Sequence, residues 1–536
     1  MGRDETYDTY DVIVVGSGGG GLIGAYTAAA RGLKTLCIEK TDVVGGTTAY
    51  SGAGLWFPGA APIDRADAEN DIEAARRYLR AVVDDPDRER LQDAYLSTGA
   101  RLIDELEQNP HFGEFAHQPV PDYFHDAPDA SPAGHTVFPP DIAVEELGEL
   151  AGWVRTTIYA ERFGEDPGPV LSGGRALIGR ALAAFLATGH GTVARNTALE
   201  SLIVEEGKVV GVTAAQDGGQ LRIRARRGVL LAAGGFERSK ELRDTHQRLG
   251  LTGEWSNGGP GNTGDALLAG LAVGADAQLL DEAWFVPGVV QPDGLPIFHS
   301  GTRSGIWVNA EGERFVNETA PYDQVGHEMA RLHRDTGVDH TSCHWVFDQA
   351  HADRDGFGGP PEEGIQPSWL ESGAVRRADT LEELAQIIGV PAKALAATVE
   401  EFNGYASTGV DEKFRRGESP WDQMYFHIVG FPARNPLNYM GKPSPHLTNP
   451  LLMPLEKPPY YAARVVLGDI GTKGGLRIDE HARVLRHDGR PIEGLYAAGN
   501  TAAPMSGRVY PGAGTPIGSS MVFGHLAALG MADVGE

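Results

Sequence analysis

The amino-terminal end of the chain carries the pattern that most constrains its fold. Residues 12–15 form a short, apolar, β-branched run, which is typical of a buried parallel strand. Gly16, Gly18 and Gly21 follow this run in the spacing G-x-G-x-x-G. The alanine-rich stretch 22–30 then predicts a helix. A strand, a glycine turn and a helix in this order indicate a nucleotide-binding unit.

A second strand and an acidic residue complete this unit. Residues 33–38 predict the strand, and Glu39 follows at roughly the 20-residue distance from the glycines where such folds carry their ribose acid. The glycines allow a tight turn, close approach of a pyrophosphate and close helix–strand packing. The helix amino terminus holds the phosphates, and the acid accepts hydrogen bonds from ribose hydroxyls. We predict a dinucleotide site here, with Ser17 and Lys40 among its contacts.

The segment after the acid favours FAD over NAD. Residues 43–52 read Val-Val-Gly-Gly-Thr-Thr-Ala-Tyr-Ser-Gly. In flavoproteins a Gly-Gly-Thr/Ser turn at this place runs along the flavin end of the cofactor, within reach of backbone amides and small hydroxyls. A nicotinamide enzyme ordinarily continues into another helix–strand unit. The predicted flavin contacts in this turn are Gly46, Thr47, Thr48, Ser51 and Gly52.

Two later segments share a second pattern. Residues 229–236 read Val-Leu-Leu-Ala-Ala-Gly-Gly-Phe and residues 494–500 read Gly-Leu-Tyr-Ala-Ala-Gly-Asn, each a buried strand that ends in a turn. Both are typical of FAD proteins of the glutathione-reductase type, in which distant segments return to close the cofactor site. A helix is predicted over 517–523, with its amino end facing the flavin. The additional predicted cofactor contacts are Ala233, Gly234, Gly499, Asn500, Pro516 and Ile517.

Composition limits the other partners of the chain. A formal charge of −27 opposes binding to nucleic acid or to an anionic bilayer. Cys37 and Cys343 are the only cysteines, so no disulfide framework exists and a reducing compartment is expected. No membrane-spanning apolar run and no signal peptide is visible. These features predict a cytoplasmic protein.

The positions of the cofactor motifs predict the domain organisation. The expected fold class is α/β, a Rossmann-like FAD-binding domain of the glutathione-reductase type with an inserted α+β catalytic domain. We assign residues 1–282 and 455–536 to the two parts of the FAD-binding domain, and residues 283–454, which lack cofactor motifs, to the substrate domain. The proline-rich and aromatic-rich stretch 110–140 is too long for an idle connection and predicts a functional loop or lid.

A second G-x-G-x-x-G after a strand is missing from the sequence. A flavin reductase of the two-dinucleotide type needs such a site for NAD(P)H. We therefore expect the chain to take electrons from an organic substrate, or to exchange them with a separate carrier.

Several short motifs spread along the chain occur together in one known family. They are Gly-Gly-Thr-Thr-Ala-Tyr-Ser-Gly at 45–52, Trp-Phe-Pro at 56–58, Pro-Asp-Tyr at 121–123, Asn-Glu-Thr-Ala-Pro-Tyr at 317–322, Tyr-Pro-Gly-Ala-Gly at 510–514 and Ile-Gly-Ser-Ser-Met-Val-Phe-Gly at 517–524. In these motifs and their order the chain resembles the 3-ketosteroid delta-1-dehydrogenases of the fumarate reductase/succinate dehydrogenase flavoprotein superfamily. The motif at 312–318, Gly-Glu-Arg-Phe-Val-Asn-Glu, is shared with the fumarate reductases and does not separate the two groups.

The resemblance implies a reaction and a set of catalytic residues. The enzyme would act in steroid catabolism, introducing a 1,2 double bond into a 3-ketosteroid and passing the electrons to an external acceptor. Tyr322 would abstract the proton, Tyr123 would support it by hydrogen bonding, and the Tyr510 hydroxyl and the Gly514 N–H would bind the 3-keto oxygen. Relatives that tether flavin use a histidine after the ribose acid, and residues 41–56 contain none, so FAD is expected to be non-covalent.

Other functions are compatible with parts of the sequence. They are a fumarate-reductase-like reductase, a 3-ketosteroid 4-dehydrogenase and a flavin protein without catalytic activity. A dicarboxylate reductase needs clustered cations, for which Arg303, Arg314 and His327 are available, but it has no use for the three tyrosine motifs.

A metal site is not expected. His340 and His344 flank a cysteine in a spacing that zinc sites use. They lead into a predicted strand at 345–347, however, where these side chains do not share a face.

Overall fold

The computed structural model describes residues 8–299, 301–359, 361–427 and 446–533. The strands of this part of the chain are β1 Asp8–Val15, β2 Thr35–Ile38, β3 Leu55–Trp56, β4 Ala116–His117, β5 Thr136–Phe138, β6 Ile142–Ala143, β7 Val170–Leu171, β8 Gly191–Ala194, β9 Thr197–Glu205, β10 Lys208–Gln216, β11 Gly219–Leu231, β12 Ala277–Gln278, β13 Ala283–Val290, β14 Pro296–Phe298, β15 Ile306–Val308, β16 Ser342–Asp348, β17 Val375–Ala378, β18 Tyr460–Thr472, β19 Gly475–Leu476, β20 Arg483–Leu485 and β21 Pro491–Ala497. The α-helices are α1 Gly19–Ala30, α2 Ala61–Arg65, α3 Ile72–Val83, α4 Glu89–Glu107, α5 Val144–Leu147, α6 Ile158–Phe163, α7 Gly173–Ala187, α8 Lys240–His246, α9 Asp265–Ala272, α10 Tyr322–Thr336, α11 Gln349–Asp355, α12 Pro367–Glu371, α13 Leu381–Ile388, α14 Ala392–Thr408, α15 Pro420–His427 and α16 Thr515–Asp533.

The chain divides into compact units. Unit 1 comprises Met1–Gln247, Gly258–Ala283 and Gly471–Glu536, and unit 2 comprises Arg248–Asn257 and Trp284–Ile470. The boundaries at 282 and 454 stay a prediction of domain organisation. Part of the predicted substrate domain, residues 428–445, lies outside the described residues.

A parallel sheet forms the centre of unit 1. Its parallel strands run in the order β21-β11-β1-β2-β8, and β20 pairs antiparallel with β21. Strands β9, β10 and β11 pair antiparallel in sequence order and form a meander. The last four residues of β1 and all of β2 are buried, as expected for strands covered on both faces.

The parallel pairing explains why segments distant in sequence meet. The strands β1, β2, β11 and β21 all end at one edge of the sheet, so the turns that follow them lie together. Open α/β sheets bind ligands outside this carboxyl edge. Helices α1 and α16 pack closely on each other: a β-carbon added to Gly24 would lie 2.9 Å from the carbonyl oxygen of Gly524.

The stretch 110–140, for which a functional loop or lid is predicted, takes part in a small sheet. It contains β4 and β5, and β5 pairs antiparallel with β3 through Leu55–Val137 and Trp56–Thr136. The pairing holds the segment around Tyr123 beside β3 because both flanks of the segment are in the sheet.

Unit 2 is built on an antiparallel sheet. Its described strands run in the order β14-β13-β18-β16-β15, and β17 also pairs with β18. The apolar residues of β15 and β16 pack with α13 and α14 into a core that includes Ile306, Val346, Leu384 and Phe402.

A buried ion cluster ties the motif at 312–318 to the rest of unit 2. Arg314 donates to both carboxylate oxygens of Glu318 at 2.8 Å and forms an ion pair with Asp411 at 2.7 Å. Arg416 donates to the same Glu318 carboxylate at 3.1 Å. The Glu318 and Arg416 side chains are fully buried, so each charge depends on its partners.

Within the part of the chain that the structure describes, none of the helices has the length and apolar composition needed to cross a bilayer.

We predict that Glu318→Gln destabilises the protein by about 3–5 kcal/mol, because it leaves the buried guanidinium groups of Arg314 and Arg416 with too little negative charge. The free energy of unfolding in urea measures this loss. Glu328→Gln is the control, since Glu328 pairs with Arg331 at an exposed surface position, and it should cost less than about 1 kcal/mol. Equal losses in the two variants would contradict the prediction.

The same cluster gives stability a pH dependence of defined sign. Burial alone would raise the pKa of Glu318, but the charges of Arg314 and Arg416 outweigh it and hold the pKa below its ordinary value. Because the folded pKa lies below the unfolded one, the carboxylate stabilises the fold above about pH 4, and this contribution is lost as the pH falls through the folded pKa. The stability difference between the parent protein and Glu318→Gln should therefore shrink between about pH 5 and pH 2. A constant difference over this interval would exclude the role of the ionised carboxylate.

Candidate active site

The turn between β1 and α1 accepts only glycine at two positions. Gly16 has a φ of +99°, and a β-carbon there would lie 2.4 Å from the carbonyl oxygen of Ala232. A β-carbon on Gly21 would lie 2.0 Å from the carbonyl oxygen of Gly16. The two glycines thus serve the tight turn and the close packing of α1 that the sequence predicted.

Gly18 is a glycine for a different reason. A β-carbon there would have Thr48 Oγ1 as its nearest neighbour, at 3.7 Å, so the protein itself leaves room for a side chain. Gly18 precedes α1, whose first turn carries no acidic residue. A helix amino terminus with open space in front of it fits the pyrophosphate of a dinucleotide.

Glu39 is held at the end of β2 by neighbouring donors. One carboxylate oxygen accepts from the Ser17 hydroxyl at 2.5 Å and from its N–H at 3.2 Å. The other accepts from the N–H and the hydroxyl of Thr41, both at 2.9 Å. The carboxylate is thereby oriented beside the glycine turn, and its contact with a ribose stays a prediction.

Lys40 lies in this region but has partners of its own. Its ammonium donates to Thr263 at 2.6 Å and to Asp265 at 2.8 Å, at the start of α9. A direct contact of Lys40 with the cofactor stays a prediction.

The turn at 45–52 is anchored through its hydroxyls. Thr48 Oγ1 accepts from the N–H of Gly19, the first residue of α1, at 3.1 Å. The Ser51 hydroxyl donates to the Thr48 carbonyl at 2.6 Å. β-Carbons on Gly46 and Gly52 would meet no protein atom within 4 Å, so the backbone there is open to a bound group.

The later segments meet the glycine turn at the same edge of the sheet. A β-carbon on Gly16 would lie 2.6 Å from Ala233 Cα. The Thr501 hydroxyl, in the turn after β21, donates to the Gly234 carbonyl at 2.8 Å. Gly234 has a φ of +78°, and a β-carbon there would lie 2.7 Å from Asn262 Oδ1.

The start of α16 lies beside the start of α1. A β-carbon on Gly19 would lie 3.4 Å from Ile517 Cγ2. The Ser520 hydroxyl donates to the Pro516 carbonyl at 2.7 Å, and a β-carbon on Gly499 would lie 3.0 Å from the same hydroxyl oxygen. Asn500 follows Gly499 directly. The structure thus brings together the glycine turn, the 45–52 turn, residues 233–234 and the amino end of α16.

Sequence reasoning missed the residues that hold Thr47. The Thr47 hydroxyl oxygen accepts from the Gly259 N–H at 2.9 Å and from Asn262 Nδ2 at 3.0 Å. Asn262 also donates to the fully buried carboxylate of Glu237 at 2.5 Å. The one signal in the sequence was the glycine-rich run at 258–264, in which Gly259, Gly261 and Gly264 have the spacing G-x-G-x-x-G but do not follow a strand.

Three of the four predicted catalytic residues meet in unit 1. The rings of Tyr123 and Tyr510 are 5.1 Å apart between centroids, at an angle of 50°. The Gly514 N–H donates to the Tyr510 hydroxyl at 3.1 Å. The two groups predicted to bind a ketone oxygen are therefore neighbours.

Glycine at 514 is required by its surroundings. Its φ is +95°, and a β-carbon there would lie 2.1 Å from the carbonyl carbon of Gly54. Helix α16 begins at the next residue, Thr515, so the Gly514 N–H belongs to the positive end of that helix. A donor at this place favours an oxygen that gains negative charge.

A buried carboxylate supports the segment that carries Tyr123. Asp122 accepts from the Trp56 indole N–H at 2.8 Å and from the Ser131 N–H at 3.1 Å. His135 lies 3.4 Å from the second carboxylate oxygen. These contacts connect β3 with both ends of the segment that carries Tyr123, the second of which leads into β5.

Tyr322 belongs to unit 2. It is the first residue of α10, at the positive end of the helix, and it is half-buried. Its ring packs edge-on against Phe298 at 4.8 Å and near Trp421 at 6.2 Å.

The cations available to a dicarboxylate reductase have partners inside unit 2. Arg303 donates to the Tyr425 carbonyl, Arg314 is paired as described above, and His327 Nδ1 lies 2.7 Å from the Asp323 carbonyl oxygen. Among the described residues, no group of three or more histidine, cysteine, aspartate or glutamate side chains is placed to hold a metal ion.

We predict that Gly18→Val folds normally but binds FAD about 100-fold more weakly, a loss of about 2.7 kcal/mol, because its side chain fills the space in front of α1. FAD titration of the apoprotein, followed by flavin fluorescence, measures the affinity. Gly152→Val is the control, since this exposed glycine has no atom within 4 Å of an added β-carbon. Unchanged affinity in a folded Gly18→Val variant would refute the assignment of the phosphate site.

Comparison with known proteins agrees with this geometry. A family model described as an FAD binding domain matches residues 11–517. A 3-oxosteroid 1-dehydrogenase of Mycobacterium tuberculosis is 38% identical, over 98% of this chain and 99% of that protein. A 4-oxocyclohexanecarboxylate 2-dehydrogenase of Sinomonas cyclohexanicum is 35% identical, over 97% of this chain and 92% of that protein.

Among solved structures, the chain is similar to the 3-ketosteroid delta1-dehydrogenase from Sterolibacterium denitrificans in complex with 1,4-androstadiene-3,17-dione. The TM-score is 0.87 at 32% identity, covering 98% of this chain and 100% of that one.

These matches confirm the predicted α/β fold class, and they confirm FAD as the cofactor. They do not favour the fumarate-reductase alternative, since the flavocytochrome c3 fumarate reductase is 21% identical and shares the fold alone. Full-length similarity at this level also confirms the family that the tyrosine motifs indicated. The chain belongs to the FAD binding domain family and, within it, to the 3-ketosteroid delta-1-dehydrogenase family.

Proposed function

We propose that this chain is an FAD-dependent 3-ketosteroid 1-dehydrogenase. The reaction removes a proton from carbon 2 and a hydride from carbon 1 of the steroid, leaving a 1,2 double bond. When bound, FAD supplies the acceptor for the hydride. The observation that carries the proposal is the donor pair of Tyr510 and Gly514 at the amino end of α16.

The donor pair acts on the ketone oxygen. Loss of the proton beside a carbonyl places negative charge on that oxygen. The Gly514 N–H donates to the Tyr510 hydroxyl at 3.1 Å, and a ketone oxygen beside both groups would accept from the hydroxyl and share the N–H. Donors that are placed before the reaction stabilise the charge as it develops. The ketone is thereby both oriented and activated for proton loss.

Tyr322 is the proposed base and Tyr123 its supporting phenol. The pKa of a tyrosine hydroxyl is ordinarily about 10, so the group is mostly protonated at neutral pH. A tyrosine base therefore needs positive charge or hydrogen-bond donors nearby, which favour the ionised form. The position of Tyr322 at the first residue of α10 supplies the positive end of a helix. Tyr123 is 1% exposed, so its hydroxyl acts where water competes little.

The chemistry of the relatives narrows the substrate class. By their names, the relatives at 35% identity or more act beside a ring ketone, some on steroids and one on a cyclohexanone carboxylate. A carboxylate substrate needs a cation, and Arg303 and Arg314 are engaged inside unit 2. We therefore propose a steroid as the substrate, with a cyclohexanone carboxylate as the second candidate.

The reduced enzyme must then pass its electrons on. The sequence has no second G-x-G-x-x-G after a strand, which is the arrangement that a nicotinamide cofactor would need. We propose an external electron acceptor, which a redox dye replaces in the assay.

The test is anaerobic mixing of the purified holoenzyme with 4-androstene-3,17-dione, followed by addition of the dye. The proposal expects bleaching of the flavin, reoxidation by the dye and formation of 1,4-androstadiene-3,17-dione. Reduced dye with fumarate and oxidised enzyme with 4-oxocyclohexanecarboxylate are the comparison reactions. Turnover with either of these and none with the steroid would overturn the proposal.

We predict that Tyr322→Phe keeps its flavin but loses at least about 100-fold in kcat, because the variant lacks the hydroxyl that takes the proton. Steady-state dye reduction measures kcat, and the visible spectrum measures the bound flavin. Tyr405→Phe removes another half-buried hydroxyl of unit 2, bonded to Glu401, and should keep the parent rate. A Tyr322→Phe variant with near-parent kcat would exclude this residue as the base.

We predict that Tyr510→Phe lowers kcat by about 10²–10³, because one of the two donors to the developing oxyanion is lost. Its unfolding midpoint should stay close to that of the parent protein, since the ring remains in place. A loss confined to KM would mean that the hydroxyl binds the ground state and the transition state equally.

A further inference from the structure

Tyr78 is a fully buried residue in the middle of α3 that no cofactor or tyrosine motif includes. Its hydroxyl donates to the Pro511 carbonyl at 2.5 Å and accepts from the Phe124 N–H at 3.2 Å. Both partners are backbone groups. A side chain that bridges the backbones of two loops fixes their relative position.

The two loops are those of the proposed active site. The Tyr123 loop, residues 121–124, ends at Phe124, and the Tyr510 loop, residues 510–514, includes Pro511. The Pro511 carbonyl also accepts from the Tyr123 N–H at 2.9 Å. The same carbonyl oxygen therefore holds the backbone of Tyr123 and the hydroxyl of Tyr78.

A second connection between these loops runs through Trp56. Its indole N–H donates to Asp122 at 2.8 Å, and a β-carbon on Gly512 would lie 2.5 Å from the same nitrogen. The rings of Trp56 and Tyr78 are 6.2 Å apart. The indole packs against both loops, but it forms a hydrogen bond only with the Tyr123 loop.

We propose that Tyr78 is a positioning residue that keeps Tyr510 and Tyr123 in register. The proposal rests on the proposed function, because it concerns the same donor site. The Tyr78 hydroxyl holds the backbone that follows Tyr510 against the backbone that follows Tyr123. Their rings stay 5.1 Å apart only while those backbones stay together. A displacement of about 1 Å at such a site can cost about 100-fold in rate.

Tyr78 itself is not a base. Burial, together with the nearby carboxylate of Asp122, raises the pKa of its hydroxyl far above the ordinary value. The Tyr78 hydroxyl is therefore a neutral hydrogen-bond donor at neutral pH. It acts through the loops and not on the substrate.

The test is a double-mutant cycle of Tyr78→Phe and Tyr510→Phe, read out as the anaerobic rate of flavin bleaching by 4-androstene-3,17-dione. We expect Tyr78→Phe to slow bleaching about tenfold in the parent protein and less than about twofold in the Tyr510→Phe background, because Tyr78 then has no hydroxyl to position. A purely structural role moves the unfolding midpoint and leaves the rate per bound flavin unchanged. Tyr461→Phe is the control, since it removes a buried hydroxyl bonded to Gln349 and should leave the rate unchanged.

The outcomes separate the two proposals. Absence of bleaching in the parent protein overturns the proposed function, whereas parent bleaching that Tyr78→Phe leaves unchanged overturns only the role of Tyr78. Equal slowing in both backgrounds also overturns it, because the effect is then independent of Tyr510. If Tyr78→Phe binds FAD weakly, the same cycle is run with an excess of FAD, and the rate is expressed per bound flavin. Slower bleaching that depends on Tyr510 supports the positioning role of Tyr78, and bleaching at the parent rate refutes that role.

Discussion

The close contact between the turn after β1 and the first turn of α1 is the constraint on which unit 1 depends. Gly16 and Gly21 approach so closely that a single added carbon would overlap a carbonyl oxygen. This contact places the amino end of α1 at the carboxyl edge of a parallel sheet. Because β2, β11 and β21 end at the same edge, Glu39 and the later glycine turns lie close together although they are far apart in sequence.

The proposed catalytic groups depend on a second set of contacts, which are polar and buried. Strand β3 and helix α3 hold the Tyr123 loop and the Tyr510 loop through an indole N–H and a phenol hydroxyl. Polar groups in such surroundings are costly unless paired, and once paired they fix a single arrangement. The donor pair of Tyr510 and Gly514 is thus set by side chains that belong to neither loop. Rigid support of this kind is what electrostatic catalysis requires.

The sequence was sufficient for the fold of unit 1 and for the outline of its site. The glycine spacing and the apolar runs predict the sheet, and Gly16, Glu39 and Thr48 lie where those patterns place them. Tyr123, Tyr510 and Gly514 were found through resemblance, and the structure shows them as neighbours. Asn262, Glu237 and Tyr78 could not be found, because only the tertiary fold brings them near the groups that they contact. The short strands of the stretch 110–140 have no periodicity that the sequence could reveal, because their pairing with β3 decides the local structure, and the functional loop or lid stays a prediction.

We propose that the Tyr510 hydroxyl and the Gly514 N–H bind the ketone oxygen of a steroid. A crystal structure of the holoenzyme with 1,4-androstadiene-3,17-dione would show which groups contact this oxygen. We expect the 3-keto oxygen within about 3.2 Å of both donor atoms. A ketone oxygen that is bonded to other groups, with Tyr510 and Gly514 still paired only to each other, would contradict it.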